Sequence, residues 1–389
     1  METTIRRLAS FAAVLACALI GACASSPAVE RTEPLFNDAL FAPPSQRIDA
    51  ADVFRLSDAM REYLRTEMSD QVRIKGKQQA LFDALFSKGE LKIEYDSTMT
   101  RTAAQAFAVK SGNCLSLVIL TAAFAKELGI PVRYQTALSE HTWERSGDIQ
   151  FFVGHVNITL GRTRSNLPTR RDEADRTIDF LPPFEIQGLR SRPIGEETIL
   201  AMYLNNRAAE TFTQGQLDDA YWWAREAIRQ DPLFLSSYIT LGVVYRRHGN
   251  IADAERVLAY ALQRDPGNVP AMVNLVQVLD QLGRKGESQA LARRLEQIEP
   301  EPPFSFWSSG VAALRSGNFA AAKDYFAREV KRAPYYHEFH FWLAVAYAGL
   351  GETDKAKEQM ALARDYSTTQ GGRDLYAAKL DRIRSTQIH

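Results

Sequence analysis

The sequence predicts an α+β domain followed by an all-α helical-repeat solenoid. Prolines at 232, 266, 300 and 334 recur every 34 residues, a period that marks a two-helix repeat unit. Between residues 51 and 199, apolar residues at three- and four-residue spacing give way to strand-like alternation. The chain has 389 residues, 46% hydrophobic and 24% charged. That gives room for two or three domains and excludes a disordered chain, a collagen-like fibre and a disulfide-dense mini-protein. With 47 basic and 47 acidic residues the formal net charge is zero, so the chain carries no broad basic footprint for nucleic acid.

Residues 1–22 read METTIRRLASFAAVLACALIGA. Arg6 and Arg7 give a basic start, and an uncharged run of 15 residues, Leu8 to Ala22, follows. The run is too short to span a bilayer comfortably and ends in small residues, as a signal peptide does. Leu19, Ile20, Gly21 and Ala22 precede Cys23, which resembles the bacterial lipobox. The resemblance implies that Cys23 receives lipid and begins the mature chain; an ordinary secretory signal with an incidental cysteine is the alternative. Ala24, rather than an aspartate, follows Cys23, and by that resemblance the expected location is the outer membrane of a Gram-negative bacterium, facing the periplasm. Acyl chains there make the membrane a partner. Residues 23–50, rich in Pro, Ser and Ala, are expected to form a flexible tether. No later stretch reaches about 18 uncharged apolar residues.

Residues 51–199 form the expected α+β domain. ADVFRLSDAMREYLRTEM and KGKQQALFDALF carry helical spacing, with Lys88-Gly89 closing the second. A further apolar helix runs from Cys114 to Leu128, and Gly129 is placed to end it. Pro131-Val132-Arg133-Tyr134-Gln135-Thr136 alternates as a strand, 149–160 reads as another, and Ile178-Asp179-Phe180-Leu181 as a short third. Cys114 is the only cysteine left once Cys17 is removed with the signal and Cys23 is lipidated, so it has no intramolecular disulfide partner. It begins a helix, where backbone N–H groups and the helix dipole favour a thiolate. A cysteine nucleophile needs a base and a group that orients the base. His155 lies within a strand pattern, and Asp179 on the next strand is the natural orienter. His141, in the loop-like SEHTWERSGD, is the competing base. Gln135 stands as a polar residue in an apolar strand, either an oxyanion donor or substrate contact, or an outward-facing strand residue.

SGNCLSL, LGIPVRYQ, GHVNI and IDF, in that order, resemble the transglutaminase-like superfamily. The likeness covers roughly residues 90–185. It implies a papain-like fold with Cys114 as nucleophile, His155 as base and acid, and Asp179 as orienter. His155 and Asp179 are 24 residues apart, longer than usual for that group, and the charged insert 161–177 accounts for the difference. The implied reaction is hydrolysis or acyl transfer at an amide or peptide bond through a thioester.

Residues 200–389 resemble tetratricopeptide repeats, five of them with a capping helix. Tyr238, Leu241, Gly242, Tyr245, Ala254, Ala261 and Pro266 show the pattern most clearly. Ala220 and Ala227 match one repeat earlier, Gly310, Ala322 and Phe326 later, then Leu343, Ala344, Tyr347, Ala356 and Ala363. Small residues belong where paired helices cross closely and large ones between units. The third copy is degenerate, with Ser288 and Leu295 in alanine places. Residues 371–385 fit a terminal helix. The resemblance implies a concave surface for a protein or peptide partner. Tyr221, Trp222, Trp223, Phe339, Phe341 and Trp342 are either binding residues or helix–helix core.

Neither a Gly-rich nucleotide loop nor H-E-x-x-H nor a paired C-x-x-C occurs, so no cofactor and no metal is expected. The leading expectation is a membrane-anchored exported cysteine enzyme with a protein-binding array. The alternative is a non-enzymatic scaffold or assembly lipoprotein whose transglutaminase-like domain is a binding module.

Overall fold

The computed structural model describes residues 32–86, 91, 93–138, 143–146, 149–152, 155–161, 175–180, 190–301 and 304–385. The expected signal peptide, Cys23, the first part of the expected tether, His141 and most of the 161–177 insert lie outside these. The chain divides after Phe36 into two units. The described part of the first carries a single 3-10 turn, Glu33–Leu35.

In the second unit, helices α1 (Asp58–Thr66), α2 (Met68–Lys75) and α3 (Lys77–Phe86) come first. They are three where the apolar spacing predicts two; Gly76, at φ +85°, turns the chain between α2 and α3. Strand β1 (Glu94–Tyr95), helix α4 (Ala103–Val109), strand β2 (Ser111–Gly112) and helix α5 (Cys114–Glu127) follow. β1 and β2 pair in parallel. Helix α5 is buried at every position from Cys114 to Ala125, as a central helix apolar on all sides must be. Gly129, at φ +67°, ends its turn.

Strands β3 (Val132–Leu138), β4 (Trp143–Ser146), β5 (Ile149–Phe152), β6 (His155–Leu160), β7 (Arg176–Ile178) and β8 (Arg190–Ile194) follow among the described residues. One antiparallel sheet has the order β7-β6-β3-β8, and β4 with β5 forms a separate two-stranded sheet. The single strand expected over 149–160 is therefore two strands in two sheets. β8 is not legible in the sequence, because Arg190, Arg192 and Pro193 mask its pattern. Val156, Ile158 and Leu160 of β6 are fully buried on the opposite face of the pleat from His155, Asn157 and Thr159.

The C-terminal array consists of five helix pairs: α6 (Glu196–Thr213) with α7 (Leu217–Gln230), α8 (Leu235–His248) with α9 (Ile251–Arg264), α10 (Val269–Gln281) with α11 (Lys285–Ile298), α12 (Ser305–Arg315) with α13 (Phe319–Arg332), and α14 (His337–Gly349) with α15 (Thr353–Tyr366). Helix α16 (Gln370–Ser385) ends it. Glycines 215, 249, 283, 317 and 351, also 34 apart, turn each pair with φ between +74° and +95°, a region that favours glycine. Within pairs the helices cross closely. A Cβ on Gly242 would lie 2.6 Å from Leu258, and one on Gly310 2.6 Å from Phe326. Ala220, Ala227, Ala254, Ala261, Ala322, Ala344, Ala356 and Ala363 are fully buried. In the degenerate third pair Ser288 takes the alanine place, buried, with its hydroxyl 3.4 Å from the Val276 carbonyl. Trp223 and Phe339 are core.

The expected tether is not free from Asn37 onward. Asn37–Ser45 lies against α7 and α8, with Phe41 stacked on Tyr221 at 3.9 Å between ring centres and the Ala42 and Ser45 amides bonded to Asp218 and Asp219. Its Pro, Ser and Ala content suggests a flexible linker; aromatic stacking and side-chain capture of its backbone are tertiary effects that composition does not register.

Candidate active site

Cys114 is the first residue of α5, and Asn113 caps the helix. The Asn113 side chain accepts from the Ser116 amide at 2.9 Å and from the Ser116 hydroxyl at 2.7 Å. Capping of this kind fixes the backbone just before the first turn. Gly112 is needed there, since a Cβ at that position would meet Ser116 Cβ at 2.7 Å. The Ser116 hydroxyl in turn accepts from the Arg101 amide at 2.8 Å. Cys114 thus stands on a rigid turn, 7% exposed, with helix N-terminal amides around it.

His155 opens β6 and is 3% exposed. Asp179 immediately follows β7. The register pairs Ile158 with Ile178, which sets Asp179 level with Asn157 and diagonal to His155 on the same face. Asp179 bridges both: Oδ1 lies 2.7 Å from His155 Nε2, and Oδ2 accepts from Asn157 Nδ2 at 3.3 Å. Burial alone would lower the pKa of His155. The hydrogen bonds and negative charges of Asp179 and Cys114 outweigh burial and push it up to about 9. Nδ1 of the same ring is buried too. Nε2 is committed to Asp179, so Nδ1 is the ring atom available to a thiol.

Gln135 sits on the same sheet face, paired with Asn157 in register. It is half-buried, and its amide donates to Thr159 at 3.4 Å. Thr159 and Thr177 share a hydrogen bond at 2.8 Å. The face is therefore a continuous polar strip bordered by His155. The structure brings Cys114, His155 and Asp179 together and places Gln135 two residues along the strip.

Two groups of residues escape a sequence reading. Asn157 steadies Asp179; the only trace of it is its two-residue spacing from His155. The second group joins the nucleophile's turn to the repeats. Thr100 Oγ1 accepts from Asn113 Nδ2 at 2.9 Å and from Asn206 Nδ2 at 3.1 Å, while its amide donates to Glu210 Oε1 at 2.6 Å. Asn206 and Glu210 belong to α6. Burial raises the Glu210 pKa against the pull of Thr100 and Arg207. Nothing in local sequence links positions so far apart. Among the described residues no cluster of three or more His, Cys, Asp or Glu is placed to hold a metal ion.

A family model of the transglutaminase-like superfamily matches residues 60–163, which include Cys114 and His155 and stop short of Asp179. Tetratricopeptide-repeat models match residues 245–305 and 309–366. A TPR repeat-containing protein of Pseudomonas aeruginosa is 25% identical over 167 residues, 42% of this chain and 26% of that protein, so the match spans about a quarter of the relative's length. Among solved structures, YrrB, described as a TPR protein with an unusual peptide-binding site, is 21% identical over 46% of this chain and 92% of its own, with a TM-score of 0.25. A thermophilic TPR protein of Thermus thermophilus is 17% identical over 46% and 98%, with a TM-score of 0.31. Yeast Tom70 is 15% identical over 48% and 40%, with a TM-score of 0.35. The chain thus joins a domain of the transglutaminase-like superfamily to an array of tetratricopeptide repeats.

Proposed function

We propose that the protein is a membrane-anchored, exported cysteine enzyme that cleaves or transfers acyl groups at amide or peptide bonds, with the repeat array holding its protein partner. The observation that carries the enzymatic reading is His155, fixed through Nε2 by Asp179 and close enough to Cys114 that both neighbours raise its pKa against burial.

Proton transfer from Cys114 to His155 leaves a thiolate beside an imidazolium, which Asp179 steadies. The thiolate attacks the carbonyl carbon of the substrate, and the carbonyl oxygen takes the negative charge. The Cys114 backbone N–H, a first-turn donor with no acceptor inside the helix, is one candidate to hold that oxyanion. Collapse expels the amine, which takes its proton from His155, and leaves a thioester on Cys114. Water or a second amine, deprotonated by His155, then attacks the thioester and frees the enzyme.

Alkylation of Cys114 by iodoacetamide tests this. A reaction at neutral pH that slows sharply in His155→Ala supports the enzyme. An inert thiol in the folded protein overturns it and favours the scaffold reading. The anchor rests on the basic start, the apolar run to Ala22 and the cysteine that follows. Cys23→Ser should move the protein from the membrane fraction to the soluble one; retention on membranes overturns the anchor.

A further inference from the structure

We propose that α7 and α8 carry a binding site for short peptide segments in which an acidic residue stands three positions before an aromatic, and that the chain's own Asn37–Ser45 fills this site in cis. The proposal deepens the protein-binding reading of the repeats and rests on it.

The contacts have the form of ligand recognition rather than of core packing. Backbone groups of the strap are met by side chains of the repeats. The Asn37 amide donates to the hydroxyls of Tyr221 at 3.0 Å and Tyr245 at 2.9 Å. The Ala42 amide donates to Asp218 at 3.0 Å, and the Ala42 carbonyl accepts from Trp222 Nε1 at 2.6 Å. The Ser45 amide donates to Asp219 at 2.7 Å. Such bonds hold any backbone in this path. Selectivity comes from two side chains. The 3-10 turn Asp38–Leu40 brings positions i and i+3 to one side. There Asp38 pairs with Arg225 at 2.9 Å and accepts from Tyr221 at 2.6 Å, while Phe41 lies against Tyr221 and His248, the latter at 4.5 Å between ring centres. Pro43 and Pro44 follow, their rings fixing φ, and limit the freedom the segment loses on docking.

A tethered ligand acts at an effective concentration of about a millimolar. A partner with the same two anchors therefore enters only if it binds more tightly or through further contacts, and the strap serves as its threshold.

The test uses the full-length chain in detergent and a fluorescein-labelled peptide, NDALFAPPSQR, read by fluorescence anisotropy. The intact chain should bind it weakly. Asp38→Ala with Phe41→Ala releases the strap and should strengthen binding at least about tenfold, and adding Arg225→Ala should remove about tenfold of that gain through loss of the ion pair with the peptide's acidic residue. Because strap release can unfold the array, a second chain is folded intact with a protease site inserted after Arg47 and then cut; labelled peptide should exchange into it. Equal binding by intact and released chains, or no exchange into the cut chain while its helical circular dichroism is retained, overturns the proposal. So does release that yields dimers by strap exchange and excludes the peptide. A photo-crosslinker scanned along α10 to α15 examines partner binding elsewhere on the array, so the wider reading stands or falls separately.

Discussion

Replacing Asp179 by asparagine keeps the shape of the side chain at the end of β7 and removes its charge. In the native site, raising the imidazole pKa from 6.5 to about 9 corresponds to about 3 kcal/mol in favour of the protonated ring. That figure is the surplus of Asp179 and Cys114 over the penalty of burial. Asp179 touches Nε2 at 2.7 Å and is itself only 13% exposed, so solvent screens the pair little. Without the charge, burial still opposes the imidazolium and Cys114 alone opposes burial. The titration midpoint of His155 should then fall by about 1 to 2 pH units. The assay is an NMR titration of the His155 ring carbon, assigned with His155→Gln. Alkylation of Cys114 at pH 7 should slow by about tenfold in parallel, since less imidazolium is present to stabilise the thiolate. Stability carries the same signature. The folded-state value lies above the unfolded one, so the contribution is fully present below about pH 6.5 and is lost as pH rises through about 9. Urea unfolding of the wild type should therefore show falling stability across that window, and Asp179→Asn should flatten the fall. A wild-type midpoint near 6.5, or one that Asp179→Asn leaves in place, refutes the reasoning.

Asn113→Ala removes the cap of α5 and a hydrogen bond to Thr100, and should cost about 1 kcal/mol by urea unfolding while lowering Cys114 alkylation; Asn113→Asp should restore the cap. Gly310→Ala forces a methyl to 2.6 Å from the Phe326 ring and should cost about 1 to 3 kcal/mol, whereas Ser288→Ala, at a site where alanine already suits four other pairs, should be close to neutral by thermal unfolding.

The repeats are legible almost in full because each unit is a local object. Proline, glycine and alanine positions recur at one period, and each residue's neighbours lie within its own pair or the next. The start of the nucleophile's helix is legible for a similar reason: a glycine and a run of apolar residues mark it within a few positions, whereas β2 and the Asn113 cap came only with the structure. The stretch 149–160 reads wrongly as one strand because alternation does not reveal where one strand leaves its sheet for another. β8 escapes because polar residues at an edge lack the alternation of a half-buried strand. Asn157 stays hidden because its role depends on β6–β7 register, which no short-range pattern encodes.

Composition and spacing by themselves determined the two-part architecture and the single candidate nucleophile, while the roles of His155 and Asp179 came from the resemblance to the transglutaminase-like superfamily, with His141 left as the competing base. Only the tertiary structure decided that Asp179 addresses Nε2 of His155, that Thr100 ties the Cys114 turn to α6, and that Asn37–Ser45 rests on the first repeats. The physical reason is range. Caps, periods and apolar faces arise from residues a few positions apart, whereas these contacts join positions 24, 106 and 184 residues apart, and only packing brings them within a hydrogen bond of each other.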